Sequence, residues 1–449
     1  MASAAEQLAA NLDVGAFAKA TELHKRLLFT LGAMIVYRLG TYIPIPGVDP
    51  AAIAQIIDRQ QNGIFGMANL FSGGAVARMA IFALNVMPYI SASIMMQLMG
   101  AVYPPWEKLR KDGGEAGRKQ LNQYTRYLSV VLAVFQAGGI AIGLQASQGA
   151  VLNPGPFFIV STVVTLTTGT MFLMWLGEQV TTRGVGNGVS LIIFAGIVAR
   201  MPTMVFQLFS QTRTGTVSGG TLLLVLAIVV GVIVFIVFME RAQRRLLVQY
   251  PKRQQGNRMY GGETSFLPLK VNVSGVIPPI FASSLLALPF TATTFLNQAN
   301  LPSGLQWLPG IASELNPGRP AYMLFYGAMI LFFTFFYTPY VLNPEETADN
   351  LRKSGGFLPG IRPGRRTAEY IDFVLTRITV IGALYLTAVC LLPQALMASY
   401  NINTLYFGGT SIMIVVAVMM DTVDQIQSHL LAHQYEGLIK KSKLRGGKR

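Results

Sequence analysis

The sequence predicts an all-α membrane protein of about ten transmembrane helices. Three observations predict it. Of 449 residues, 52% are apolar and only 12% charged; mean hydropathy is +0.47; and apolar runs of spanning length recur along the whole chain. A soluble globule could not cover that much apolar surface, so the solvent must be lipid. Helices are required because backbone amides in hydrocarbon must pair within their own segment, and the runs lack the alternation of a barrel strand.

The runs lie near Leu27 to Ile43, Met79 to Gly100, Tyr127 to Gln145, Phe157 to Gly177 and Val189 to Phe209, then Thr221 to Met239, Val273 to Phe295, Ala321 to Leu342, Ile378 to Met397 and Phe407 to Met420. The first follows Lys25 and Arg26 directly and no small-residue cleavage site closes it, so it reads as a retained span with its amino end inside. The single cysteine, Cys390, lies in an apolar run, which excludes a disulfide within the chain and cysteine-clustered metal sites.

Net charge is +15, and its distribution fixes orientation. With the amino terminus in the cytoplasm, Lys108, Arg110, Lys111, Arg118 and Lys119 fall in the first inside loop. Arg241, Arg244, Arg245, Lys252, Arg253 and Arg258 fall in the third, and Arg352, Lys353, Arg362, Arg365 and Arg366 in the fourth. The tail holds Lys440, Lys441, Lys443, Arg445, Lys448 and Arg449, whereas outside loops hold Arg59, Arg200, Arg213 and Arg319. Both termini are therefore expected in the cytoplasm. An odd number of crossings per half permits inverted repeats, although no internal sequence repeat is visible.

The spans carry no Asp, Glu or Lys near their middles; Glu178, Asp421 and Asp424 sit at cytoplasmic ends. An ion-coupled transporter needs a group that changes charge near the midplane, so that class is poorly served. An intramembrane enzyme is no better served. There is no HExxH, no pair of aspartates within spans and no phosphate loop; His24, His429 and His433 are the only histidines, too few beside one another for a metal centre. Arg38, in the outer part of the first span, is expected to snorkel toward headgroups or to pair with a backbone carbonyl. The glycine-rich stretch from Asn62 to Gly74 is apolar but too short to cross, and reads either as a re-entrant helix enclosed by protein or as an amphipathic helix on the outer surface.

Longer motifs are specific. FSGGAVARMAIFALNVMPYISASIMMQL from Phe71, GTMFLMWLGEQVTTRGVGNGVSLIIFAGIVA from Gly169, VQYPKRQQGNRMYGG from Val248, LPLKVNVSGVIPPIFASS from Leu267, NPEETADNLRKSGGFLPGIRPG from Asn343 and YFGGTSIMIVVAVMMD from Tyr406 resemble the bacterial SecY family of protein-conducting channels in order and over both halves. The resemblance implies two pseudo-symmetric inverted five-helix halves around a central pore, with a short re-entrant plug helix. It implies a cytoplasmic segment 1–26, a first half 27–210 with the plug at about 62–76, an external hinge loop 211–220, a second half 221–427 with cytoplasmic loops 240–272 and 343–377, and a basic tail 428–449. The implied function is passage of unfolded presecretory proteins across a bacterial plasma membrane, and lateral release of transmembrane segments into its lipids. Signal sequences open such a channel, SecE and SecG subunits accompany it, and the SecA ATPase or a ribosome drives it. No cofactor, no metal and no catalysis by the chain itself are implied. The alternative from a different class is a secondary transporter of a small solute.

By motif, the family's pore ring falls on Val86, Ile90, Val189, Ile193, Ile280 and Ile414. Val86 with Ile90, and Val189 with Ile193, are four apart and share a helix face with a step of about 6 Å, although such pairs are also ordinary packing. An aliphatic constriction refuses ions by dewetting, and two valines make this one a little smaller in side-chain volume. The plug match covers Ile64, Phe65, Gly66, Met67, Leu70, Phe71, Ser72, Gly73 and Gly74. Ser91, Gln136 and Ser284 match a polar cluster at the lateral gate, where a bond between helices contributes roughly 0.6 to 2 kcal/mol and a bond to the residue's own helix is the competing use. The third inside loop, with arms at Leu246 to Tyr250 and Phe266 to Val271, reads as a hairpin, and the resemblance assigns its Lys252, Arg253 and Arg258 to ribosomal RNA or acidic SecA surface. In PGIRPG, the prolines and glycines fix a turn that holds Arg362 outward for docking.

Overall fold

The structure is a computed structural model. It describes residues 21–49, 52–53, 69–111, 114–146, 149–215, 218–251, 253–255, 258–260, 264–295, 310, 314, 319–400 and 409–446. It is mostly helical, and seven helices among the described residues are long and apolar enough to cross a membrane. The chain divides into two units, one of Met1–Thr203, Thr294–Leu296 and Val418–Arg449, the other of Met204–Thr293 and Asn297–Ala417.

In the first unit, α1 runs Thr21–Gly40. It buries Leu23, Thr30, Ala33, Tyr37 and Gly40, at the three-to-four spacing of one helix face, while Leu28, Leu31, Ile35 and Leu39 stand exposed. Large aliphatic side chains facing outward are what a helix solvated by lipid presents. A Cβ on Gly40 would strike the Phe82 ring, so the helix ends where the chain passes closest to it. The following stretch is a run of turns with isolated bridges and pairs with a second irregular stretch: Ile45 N donates to Met79 O at 2.9 Å and Ile81 N to Ile43 O at 2.9 Å.

The second apolar run departs from expectation. It does not become helical at Met79; residues 72–86 form successive turns, with Met79 at φ 41° and Asn85 at φ 49°, and α2 spans only Met87–Val102. Pro88 lies in its first turn, where its missing N–H costs nothing, and the left-handed Asn85 stops any helix from reaching it from behind. At 16 residues, α2 is shorter than the roughly 20 needed to span.

Next come α3 (Pro104–Lys111), α4 (Gly114–Ala146), α5 (Pro156–Arg183) and α6 (Gly188–Arg213). α2, α4 and α5 pack on one another. Ala133, Ala137 and Ala141, four apart, are fully buried on α4, whereas Tyr127, Val131 and Phe135 are exposed. Between α4 and α5, Arg126 grips Glu178 with both arms of its fork, Nε to Oε1 at 2.9 Å and Nη2 to Oε2 at 2.7 Å.

In the second unit, α7 (Gly219–Arg241) is capped by Ser218, whose side chain accepts from Thr221 N. The expected hairpin forms: β1 (Gln243–Gln249) pairs antiparallel with β4 (Thr264–Lys270), Leu246 opposite Leu267, and beyond it β2 (Arg253–Gln255) pairs with β3 (Arg258–Tyr260). Leu246, Val248 and Leu269 form a core with Leu358, Ile371 and Leu375. α8 begins at Ile277, not Val273, and ends at Phe295, with prolines again in its first turn. α9 (Pro320–Val341) packs on α11 (Arg365–Tyr400), as does the short α10 (Pro344–Lys353), which Asn343 caps. α11 begins earlier than the apolar run at Ile378, and α12 (Gly409–Gly446) runs on through most of the basic tail; neither extension carries a proline.

Within the first unit, the later part of α12 returns to α1. Gln425 Oε1 accepts from Gly186 N at 2.8 Å, and Leu430, Leu23 and Val185 form a small core.

Candidate functional site

Val86 and Ile90 sit where the turns give way to α2. Ile90 N donates to Val86 O at 3.0 Å, the first helical bond of that segment, which stacks the two side chains on one face. Val86 is 0% and Ile90 7% exposed. On α6, Ile193 is buried and Val189 half-buried, its Cγ2 lying over Gly177 of α5. The close approach of α5 and α6 here requires both glycines, since a Cβ on Gly188 would enter the Gly177 carbonyl. In the second unit Ile414 is buried, and Ile280 is half-buried with its carbonyl accepting from Ser283 Oγ at 2.9 Å.

Of the plug residues, Ile64, Phe65, Gly66 and Met67 lie outside the described residues. Leu70 and Phe71 close a last helical turn, and Ser72, Gly73 and Gly74 continue as turns; all five are buried. Burial inside protein, rather than on an outer surface, decides between the two readings of this stretch for its described part. Its backbone is satisfied locally: Gly74 N donates to Asn69 O at 2.9 Å, and Asn69 Oδ1 accepts from Ala77 N at 3.0 Å. Arg38 pairs with a carbonyl, donating from Nη1 to Gly73 O at 2.7 Å.

Asn85 was not foreseen. Its Nδ2 donates to Phe71 O at 2.7 Å from a fully buried position. A signal existed in the sequence, because an asparagine two residues before the Met87-Pro88 helix start suits a left-handed turn.

Among the gate residues, Ser91 is buried and Gln136 half-buried on the packed pair α2 and α4. Ser284 is buried on α8, and among the described residues its hydroxyl meets no hydrogen-bond partner. Gln97, one turn from Ser93, donates to it at 3.1 Å and adds a polar group that the sequence reading did not single out.

On the basic loops, Lys252 lies outside the described residues, Arg253 pairs opposite Tyr260, and Arg258 pairs opposite Gln255. Arg362 is exposed between Gly360 at φ 78° and Gly364 at φ 103°, backbone values that suit glycine. Thr367 Oγ1 donates to its carbonyl at 2.9 Å. It borders a cleft of about 570 Å³ with Arg366, Glu369, Tyr370 and Phe373.

Comparison with known proteins bears on this arrangement. The SecY family model matches residues 80–423. Protein translocase subunit SecY of Escherichia coli K12 is 52% identical over 428 residues, covering 95% of this chain and 96% of that protein, and the Vibrio cholerae protein of the same name is 51% identical over 428 residues. A solved structure described as that of a protein conducting channel superposes with TM-score 0.69 at 16% identity, covering 92% of this chain and 93% of that one. Sec61 in a canine ribosome-channel complex superposes with TM-score 0.65 at 17% identity. With the family model covering most of the chain and half of the aligned residues identical to curated relatives, this chain belongs to the SecY family.

Proposed function

We propose that the chain is the channel subunit of a bacterial protein translocase, spanning the inner membrane many times with both termini in the cytoplasm. It passes unfolded presecretory proteins across the membrane and releases transmembrane segments sideways into it. It binds a SecE and a SecG subunit, and SecA or a ribosome docks on Lys252, Arg253, Arg258 and Arg362 and drives the passage. The chain itself catalyses no reaction.

The observation that carries the reading is the chemistry around the start of α2. Two buried aliphatic side chains, Val86 and Ile90, stand at the mouth of a short helix, and a glycine-rich strap is buried beside them. A surface of this kind can part around an extended chain without holding any one residue, and it closes by expelling water. Family membership supports the cargo: the relatives of known name are translocase subunits. A crosslinker placed in turn at Ile90, Ile193, Ile280 and Ile414 tests the ring. An arrested precursor should form adducts at all four in vesicles containing the partner subunits. Adducts elsewhere in the bundle with none at these positions would remove the assignment.

A further inference from the structure

The strap from Phe71 to Gly74 presents two carbonyls that its own turns do not use, and each is met by a donor from a different element. Phe71 O accepts from Asn85 Nδ2 at 2.7 Å, and Gly73 O accepts from Arg38 Nη1 at 2.7 Å. Arg38 stands on α1 and Asn85 on the turn one residue before Val86. The guanidinium is itself held: its Nη2 donates to Tyr42 Oη at 2.8 Å, and its Cζ lies 4.8 Å from the centre of that ring. Asn85 sits at φ 49°, where glycine would serve the backbone equally well, so the amide side chain supplies something beyond the turn. From the other side, Gly196 of α6, three residues beyond Ile193, brings bare backbone against the strap. A Cβ there would come within 3.2 Å of Gly73 N and would enter the Phe71 carbonyl.

Building on the plug reading above, we propose that Arg38 and Asn85 are positioning residues that keep the strap seated, and so set how tightly the resting channel is closed. Both grip backbone carbonyls, so the hold is indifferent to plug side chains and is lost only when the strap moves as a unit. Each bond is worth about a tenfold change in the seated-to-released ratio, the arginine's more because it is charge-assisted.

The test uses the full chain with its partner subunits in vesicles, reading resting ion conductance and the translocation of a precursor whose signal sequence is defective. Arg38→Gln and Asn85→Gly should each raise both about tenfold, and the double variant about a hundredfold. Arg38→Lys, which keeps one cationic donor, should fall between. Asn85→Gly preserves the backbone, so its melting temperature should stay near that of the parent. Parental conductance in both single variants, while a chain lacking residues 64–70 leaks, would overturn the anchors and leave the plug intact. A deletion that also seals would remove plug and anchors together. A fall in melting temperature without any rise in leak would show a merely structural role and overturn the inference.

Discussion

Replacing Asn272 with alanine should loosen the root of the β1–β4 hairpin. Asn272 is 4% exposed and its Nδ2 bridges two elements, donating to Glu240 Oε1 at the end of α7 at 2.6 Å and to Gly275 O ahead of α8 at 3.1 Å. Ser274 Oγ donates to its Oδ1 at 3.2 Å, so both side-chain polar atoms are engaged. A hydrogen bond to a charged group contributes about 1.5 to 3 kcal/mol, and at about 1.36 kcal/mol per decade its loss shifts a local opening equilibrium roughly 10- to 150-fold. The reporter is adjacent: Val271 N donates to Ala242 O at 2.9 Å, the bond that closes the hairpin onto α7. Hydrogen exchange of the peptide carrying Val271 should accelerate by that factor in Asn272→Ala, while peptides from α9 keep their rates. Asn272→Asp, which sets a second carboxylate against Glu240, should accelerate it at least as much. Exchange within twofold of the parent in both variants would refute the claim that this amide fastens the hairpin.

Three further outcomes follow from packing and exposure. Ala137→Leu on the buried alanine stripe of α4 should destabilise the first unit by about 1 to 3 kcal/mol through overpacking, read as a lower melting temperature of the purified protein, whereas Val131→Leu on the exposed face should not. Arg126→Met and Glu178→Gln should each cost less than about 1 kcal/mol despite the good fork geometry, because the side chains are 45% and 33% exposed; a double-mutant cycle on melting measures the coupling. Cys390, fully buried, should resist a polar maleimide in the native protein and react fully after denaturation.

What the sequence made legible was the part governed by hydropathy, length and charge. Each expected run holds a helix, and the hairpin arms fall at the anticipated alternation around Leu246 and Phe266. Hydropathy alone could not place the helix starts inside two of those runs. The stretches from Met79 to Val86 and from Val273 to Val276 are as apolar as the helices they precede, and the later starts are signalled by Pro88 with Asn85 ahead of it and by the Pro278-Pro279 pair. Nor could spacing decide the fate of Arg38. Snorkelling and carbonyl pairing are equally open to an arginine at that depth until the partner loop is placed beside it. Motif matching assigned Val189 a face, but its packing over Gly177 depends on how closely α5 and α6 approach, which follows from two glycines on different helices.

Beginning α2 late has a consequence for where polar residues occur. A chain that leaves helical geometry within an apolar region strands donors and acceptors that no water reaches, and each must find a partner in the protein. Between Phe71 and Val86 the partners come partly from strand-like pairing with Ile43 and Ile45 and partly from side chains: Asn69 for Ala77 N, Ser72 for Val76 N, Asn85 for Phe71 O and Arg38 for Gly73 O. The polar residues that break an otherwise apolar stretch are thus there because the backbone is irregular. Those four bonds serve residues 71–77 one by one, so the irregular stretch is fastened at several separate points rather than by a single ladder. A continuous helix from Met79 would have left Asn85 no left-handed turn from which to reach Phe71 O, so the late start of α2 is what brings that amide to the strap.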